Sequence, residues 1–259
     1  MTGGQERSDR GLDSDHQLAA RLATAAGELL LGVRIEFADA EASERKDAGD
    51  KRAHHFLMEA LAAERPDDAV LSEEATEEER ANSRRLSANR VWIVDPLDGT
   101  REFSELGRDD WAVHVALWEA GELVAGAVAL PAQGVTLATP DVAPPPAAPV
   151  TPRIVVSRTR PPAVALAVRD ALNGTLVEMG SAGAKVSSVV QGISDVYVHA
   201  GGQYEWDSAA PVAVARAAGL FTSRIDGSPL LYNQADVSLP DLIVCRPELA
   251  DAVLAVTTR

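Results

Sequence analysis

The segment best suited to chemistry is Asp95-Pro96-Leu97-Asp98-Gly99-Thr100. It follows Arg90 to Val94 (Arg-Val-Trp-Ile-Val), which reads as a buried strand. Two carboxylates at the carboxyl end of a strand stand where α/β proteins commonly place ligands. Pro96 stiffens the turn, and Gly99 lets backbone approach a ligand closely. Thr100 can open a helix whose free N–H groups face an anion. Acids beside such a helix end repel a phosphate unless cations lie between them, and hard oxygen ligands point to magnesium. Taken alone, Asp95 and Asp98 are also ordinary turn formers.

Two further acidic sites belong to the same pattern. Ser72-Glu73-Glu74 follows the short apolar run Ala69 to Leu71, and Trp206-Asp207-Ser208-Ala209-Ala210-Pro211 opens a later helix. Alone, Glu73 and Glu74 read as solvated surface and Asp207 as a helix N-cap. Their joint occurrence and order point to a metal cage. Arg101 follows the turn directly. It fits either a second phosphate or a surface charge in a helix first turn, where a cation is slightly unfavourable.

These residues need a scaffold. Leu18, Leu22, Ala25, Leu29 and Val33 recur at helical spacing from Asp15 to Arg34, and a second helix is expected from about Lys51 to Glu64. Strands are expected over Trp111 to Trp118, Leu123 to Leu130 and Gly134 to Thr139, with a turn at Ala120–Gly121. Pro140 to Pro152 holds six prolines and reads as a stiff connector. Strands and helices then alternate: 154–156, 162–172, 176–178, 182–190, 196–198, 207–218, 242–245 and 247–256. The pattern is α/β. It divides the chain into an N-terminal tail (1–14), an α+β half (15–139), the connector (140–152) and an α/β half (153–259).

Composition narrows the function. The net charge is −15, with 39 acidic against 24 basic residues, which repels nucleic acid and anionic membrane. The single cysteine, Cys245, excludes a disulfide within the chain and disfavours a zinc site built on cysteine. No apolar run is long enough to span a membrane. Met1 to Asp15 lacks the apolar stretch of a signal peptide. A cytoplasmic location is expected.

The segments Trp92-Ile-Val-Asp-Pro-Leu-Asp-Gly-Thr100 and Trp206-Asp-Ser-Ala-Ala210 together resemble the inositol monophosphatase superfamily of lithium-sensitive, metal-dependent phosphatases. The resemblance runs from about Leu18 to Cys245. Asp98-Gly-Thr-Arg-Glu-Phe103, Gly107-Arg-Asp-Asp-Trp111 and His199-Ala-Gly-Gly-Gln-Tyr-Glu-Trp-Asp207 look like its CysQ-type branch, which hydrolyses 3′-phosphoadenosine 5′-phosphate (PAP). The resemblance implies a layered αβαβα sandwich, magnesium as cofactor with lithium inhibitory, and an assembly that is often a dimer. One ion would take Glu73, Asp95 and the Leu97 carbonyl; a second would take Asp95, Asp98 and Asp207; a third, weaker one would sit near Glu73. Gly99 and Thr100 N–H groups would hold the phosphate. Thr100, Glu73 and an acid at Asp50 would activate the attacking water. Here the sequence departs from the family, which usually has Val-Thr shortly before that acid; Lys46-Asp47-Ala48-Gly49-Asp50 allows Asp47 instead, and either acid would also serve as a helix cap. Gly180-Ser181-Ala182 and His199 match positions facing substrate in relatives. Ser181 would equally cap a helix, and His199 would equally end a strand. Arg108 is a weaker second basic candidate beside Arg101. The same cage suits inositol phosphates and fructose 1,6-bisphosphate.

Other routes fit less well. Dehalogenase-type phosphatases separate their two acids by one residue, whereas Pro96 and Leu97 intervene here. With Gly99 as the glycine of an EF-hand loop, Val94 and Pro96 fall at ligand positions. The chain has no Gly-x4-Gly-Lys-Ser/Thr loop. Cys245 is followed at once by Arg246, without a cysteine phosphatase's spacing.

Overall fold

The computed structural model describes residues 13–80 and 83–258. Of the expected tail, residues 1–12 lie outside the described residues. Ser14 instead caps α1 (Asp15–Glu36) in a reciprocal pair with Gln17: the Gln17 N–H donates to Ser14 Oγ at 3.3 Å, and the Ser14 N–H donates to Gln17 Oε1 at 2.9 Å. The buried stripe of α1 is Leu18, Leu22, Ala26, Leu30 and Val33, with Ala25 and Leu29 on its flank. Helix α2 (Ala42–Glu64) packs beside it through Ala53, Leu57 and Leu61.

Helix α2 starts nine residues before the expected Lys51, so Asp47 and Asp50 lie inside it and cap nothing. Gly49 within a charged stretch hides this start from a propensity argument. It is there for space: a Cβ would meet Phe103 at 2.7 Å and Leu97 at 3.0 Å. Buried Arg45 secures the same turn, donating to the carbonyls of Phe37, Ala38, Ala40 and Ser104.

The first sheet runs β1-β2-β3-β4-β5, from β1 (Ala69–Ser72), β2 (Arg90–Asp98), β3 (Ala112–Glu119), β4 (Glu122–Leu130) and β5 (Val135–Ala138). Only β1 and β2 are parallel within it. Two short helices, α3 (Glu77–Arg80) and α4 (Ser83–Ser87), lie between β1 and β2, and α5 (Thr100–Ser104) follows β2. Residues 140–152 form neither helix nor strand.

The second sheet runs β7-β6-β8-β10-β9. Its strands are β6 (Arg153–Ser157), β7 (Thr175–Met179), β8 (Val196–Ala200), β9 (Phe221–Ser223) and β10 (Asp241–Cys245). Helices α6 (Ala163–Ala171), α7 (Ala182–Val190), α8 (Glu205–Ala217) and α9 (Ala250–Thr257) alternate with them. Strand β9 was not expected; three residues carry too little periodicity to announce a strand.

Three hydrophobic clusters define five layers. Helices α1 and α2 cover one face of the first sheet. Helices α7 and α8 fill the space between the sheets, where Ile93, Ala116 and Val128 meet Ala210, Val214, Tyr197 and Val244. Helices α6 and α9 cover the outer face of the second sheet. The result is an αβαβα sandwich. Its central helices start beside the end of β2, which brings Asp207 to Asp95 and Asp98.

Candidate active site

Strand β2 runs through the motif to Asp98 instead of stopping at Val94. Its register with β3 shifts between Asp95 and Asp98, because Pro96 has no N–H for the ladder. The Leu97 N–H turns onto Asp95 Oδ1 at 3.0 Å, and the Leu97 side chain enters the core under α1 and α2. Gly99, at φ 84°, supplies the left-handed turn into α5. Thr100 is the first residue of that helix.

Asp207 is the third residue of α8 and not its N-cap, which is Tyr204; it takes part in the cap from inside the helix. Its Oδ2 accepts the Tyr204 N–H at 2.7 Å. One carboxylate oxygen from each of Asp95, Asp98 and Asp207 lies within 4.8 Å of the others. Glu73 follows β1, tied by its N–H to the Val94 carbonyl at 3.3 Å, and its carboxyl meets Asp95. Glu74 is exposed.

Without a cation these acids strain one another. Burial, then the charges of Glu73, Asp98 and Asp207, hold the Asp95 carboxyl well above the carboxylate range. Burial and Asp98 push Asp207 up to about 7. Burial also raises Glu73. For Asp98 burial pushes up, but the His114 charge, the Gly183 N–H and Lys185 outweigh it and the carboxyl sits low. Buried oxygen donors at this spacing suit small divalent cations, which would reverse the repulsion.

Asp50 is half-buried, and burial followed by the charges of Glu74 and Glu73 pushes it up to about 7. Asp47 is exposed. The first N–H groups of α7 are committed to the protein: Ala182 donates to Asp98 Oδ1 at 3.2 Å and Gly183 to Asp98 Oδ2 at 2.5 Å. Ser181 Oγ caps that helix by accepting the Ala184 N–H at 2.9 Å. The substrate-facing expectation for Ser181 and Ala182 thus meets groups already engaged. His199 is the next-to-last residue of β8, with a buried Nε2 that has no partner among the described residues; burial, then Lys185, lowers its pKa to about 4. Arg101 is exposed on α5 and pairs with Glu105 at 3.2 Å. Arg108 forks onto Asp110.

The residue pattern of the inositol monophosphatase family matches 12–142 and 150–258 of the chain. The chain belongs to the inositol monophosphatase family. A protein named 3′-phosphoadenosine 5′-phosphate phosphatase from Mycobacterium bovis is 52% identical over 238 residues, covering 88% of each chain. One of the same name from Mycobacterium leprae is 50% identical over 256 residues, covering 94% of this chain and 93% of that one. The crystal structure of inositol monophosphatase II from Staphylococcus aureus shares the fold, with a TM-score of 0.76, 18% identity and coverage of 92% and 91%.

Within this member of the inositol monophosphatase family, sequence reasoning missed His114. It is fully buried opposite Asp95 in the β2–β3 register and faces Asp98 Oδ2 at 3.2 Å. Its Nδ1 lies 3.0 Å from the Trp206 carbonyl. Burial lowers its pKa, but the Asp98 charge wins and raises it. The available signal was a lone histidine inside the apolar run Trp111 to Trp118.

The raised carboxyls make a stability prediction. Between about 3.8, the ordinary aspartate value, and about 7, native Asp207 keeps a proton that the unfolded chain has lost. Asp95, with its pKa also raised, adds in the same direction. Stability of the metal-free protein from these groups therefore falls as pH rises through that window. Thermal melts in excess chelator should show Tm dropping toward pH 7, and magnesium should flatten the decline. A metal-free Tm that rises steadily over the window would contradict the assignment.

Proposed function

We propose that this chain is a magnesium-dependent phosphomonoesterase that converts PAP to AMP and inorganic phosphate. The reading is carried by the buried carboxylate cluster of Asp95, Asp98 and Asp207, with Glu73 beside it, in a chain half identical to proteins named for this activity. Glu73, Asp95 and the Leu97 carbonyl would hold one ion, and Asp95, Asp98 and Asp207 another. Magnesium bound there would supply Lewis acidity toward the phosphate ester and lower the pKa of water.

The chain's own groups do the rest. The Gly99 and Thr100 N–H groups, at the first turn of α5, hold the phosphate under attack. Thr100 and Asp50 orient the attacking water and take its proton. Burial raises the Asp50 carboxyl, which makes it a stronger proton acceptor. The water attacks phosphorus in line as the P–O3′ bond breaks, and the ribose 3′-oxygen leaves with a proton taken up from solvent. The same cage accepts inositol phosphates and fructose 1,6-bisphosphate, so contacts beyond the scissile phosphate decide the substrate.

Arg101 is the leading group for the 5′-phosphate of PAP, and its pair with Glu105 is exposed enough to exchange. Losing one charge-assisted contact costs about 1.5–3 kcal/mol, or about ten- to a hundredfold. Arg101→Ala should lower kcat/KM for PAP by about that factor. Inositol 1-phosphate, which has no second phosphate, should be nearly unaffected. Equal losses on both substrates would place Arg101 at the scissile phosphate or in the fold.

A further inference from the structure

A buried arginine outside the carboxylate cluster joins the Glu73 segment to the start of α8, the helix that carries Asp207. Arg85 in α4 is only 2% exposed. Its Nε and Nη2 donate to the Arg80 carbonyl at 3.1 and 2.9 Å. Nη1 donates to Asn233 Oδ1 at 2.7 Å, and Nη2 to the Gln234 carbonyl at 3.1 Å. Asn233 and Gln234 in turn give their backbone N–H groups to Glu205 at 2.6 and 2.7 Å. Glu205 is buried and opens α8, two residues before Asp207.

The circuit closes on the other side. Arg80, whose carbonyl Arg85 holds, donates from Nη2 to the Glu73 carbonyl. Its guanidinium also lies over the Trp206 ring, 4.8 Å from the centroid. Glu73 is thus tied through Arg80 to Trp206 directly, and through Arg85, Asn233, Gln234 and Glu205 to the same helix start. Burying a guanidinium is costly unless its donors find fixed acceptors. Here they do, and the planar fork sets the two segments at one angle.

We propose that Arg85 is a positioning residue that fixes the Glu73 segment against the start of α8, so that Glu73, whose carboxyl meets Asp95, is held beside the Asp95, Asp98 and Asp207 cluster. The role rests on the magnesium reading above. Arg85 touches neither the cluster nor substrate. It acts through Arg80 on the Glu73 side and through Glu205 on the Asp207 side.

The test is calorimetric titration with magnesium chloride in the absence of substrate, alongside kcat at varied magnesium. It compares the unaltered protein with Arg85→Lys, which keeps the charge but loses the fork, and with Glu205→Gln, which weakens the other end. Asp195→Asn is the control. Asp195 is fully buried between Arg153 and Arg246, at 2.9 and 2.7 Å, and none of its partners belongs to this circuit. Arg85→Lys and Glu205→Gln should each weaken magnesium binding about tenfold and raise the half-activating concentration in step, while kcat at saturating magnesium stays within about twofold. Asp195→Asn should lower Tm without changing magnesium affinity. Unchanged affinity in Arg85→Lys and Glu205→Gln, or an equal loss in Asp195→Asn, would overturn the positioning role and leave the magnesium reading standing. No magnesium binding by the unaltered protein would overturn both.

Discussion

Asp95→Asn should lower kcat by about two to three orders of magnitude, the scale on which a preorganised charge at a reacting centre acts. Asp95 is 1% exposed and lies within reach of Asp98, Asp207 and Glu73. It is the one carboxylate expected to bridge both cations, and an amide has no charge with which to hold them. The same substitution removes a charge whose burial and like-charged neighbours disfavour it. Metal-free Asp95→Asn should therefore melt no lower than the metal-free unaltered protein, while magnesium raises its Tm less. That pairing separates loss of cation binding from misfolding. Retention of more than about a tenth of kcat would contradict the bridging assignment.

Excess chelator should abolish activity, and added magnesium should restore it. The cluster combines oxygen donors from β2 and α8, buried and close, with raised carboxyls at Asp95 and Asp207. Binding to the folded state alone should also raise stability by about 2.7 kcal/mol at a magnesium concentration a hundred times its Kd. Lithium, a small cation of lower charge, should inhibit in competition with magnesium. Full activity after exhaustive chelation would contradict cation-dependent hydrolysis.

How much of this was legible in the sequence follows from how local each feature is. The start of strand β2 and the grouping of its acids were readable because an apolar run, a proline and a glycine announce themselves within a few residues, whereas its run past Val94 to Asp98 was not. The α7 boundaries matched their residues closely, since Ser181 caps that helix by a local bond. The start of α2 was hidden because Gly49 answers to Phe103 and Leu97, distant in sequence. His114 was hidden because its partner Asp98 is reached across the strand pair. Ser181 and Ala182 show the complementary limit: sequence placed them near the site but did not reveal that their polar groups hold Asp98 and the helix cap. The Arg85 bond to Asn233 spans 148 positions, beyond the reach of any local pattern.

The most direct measurement is kcat/KM for PAP, inositol 1-phosphate and fructose 1,6-bisphosphate, side by side at saturating magnesium. A site that uses the metal cage for one phosphate and Arg101 for the other should favour PAP over inositol 1-phosphate, which has no second phosphate, by about tenfold or more, since one charge-assisted contact is worth that factor. AMP and inorganic phosphate should form in equal amounts. A higher kcat/KM for inositol 1-phosphate than for PAP would contradict the nucleotide assignment.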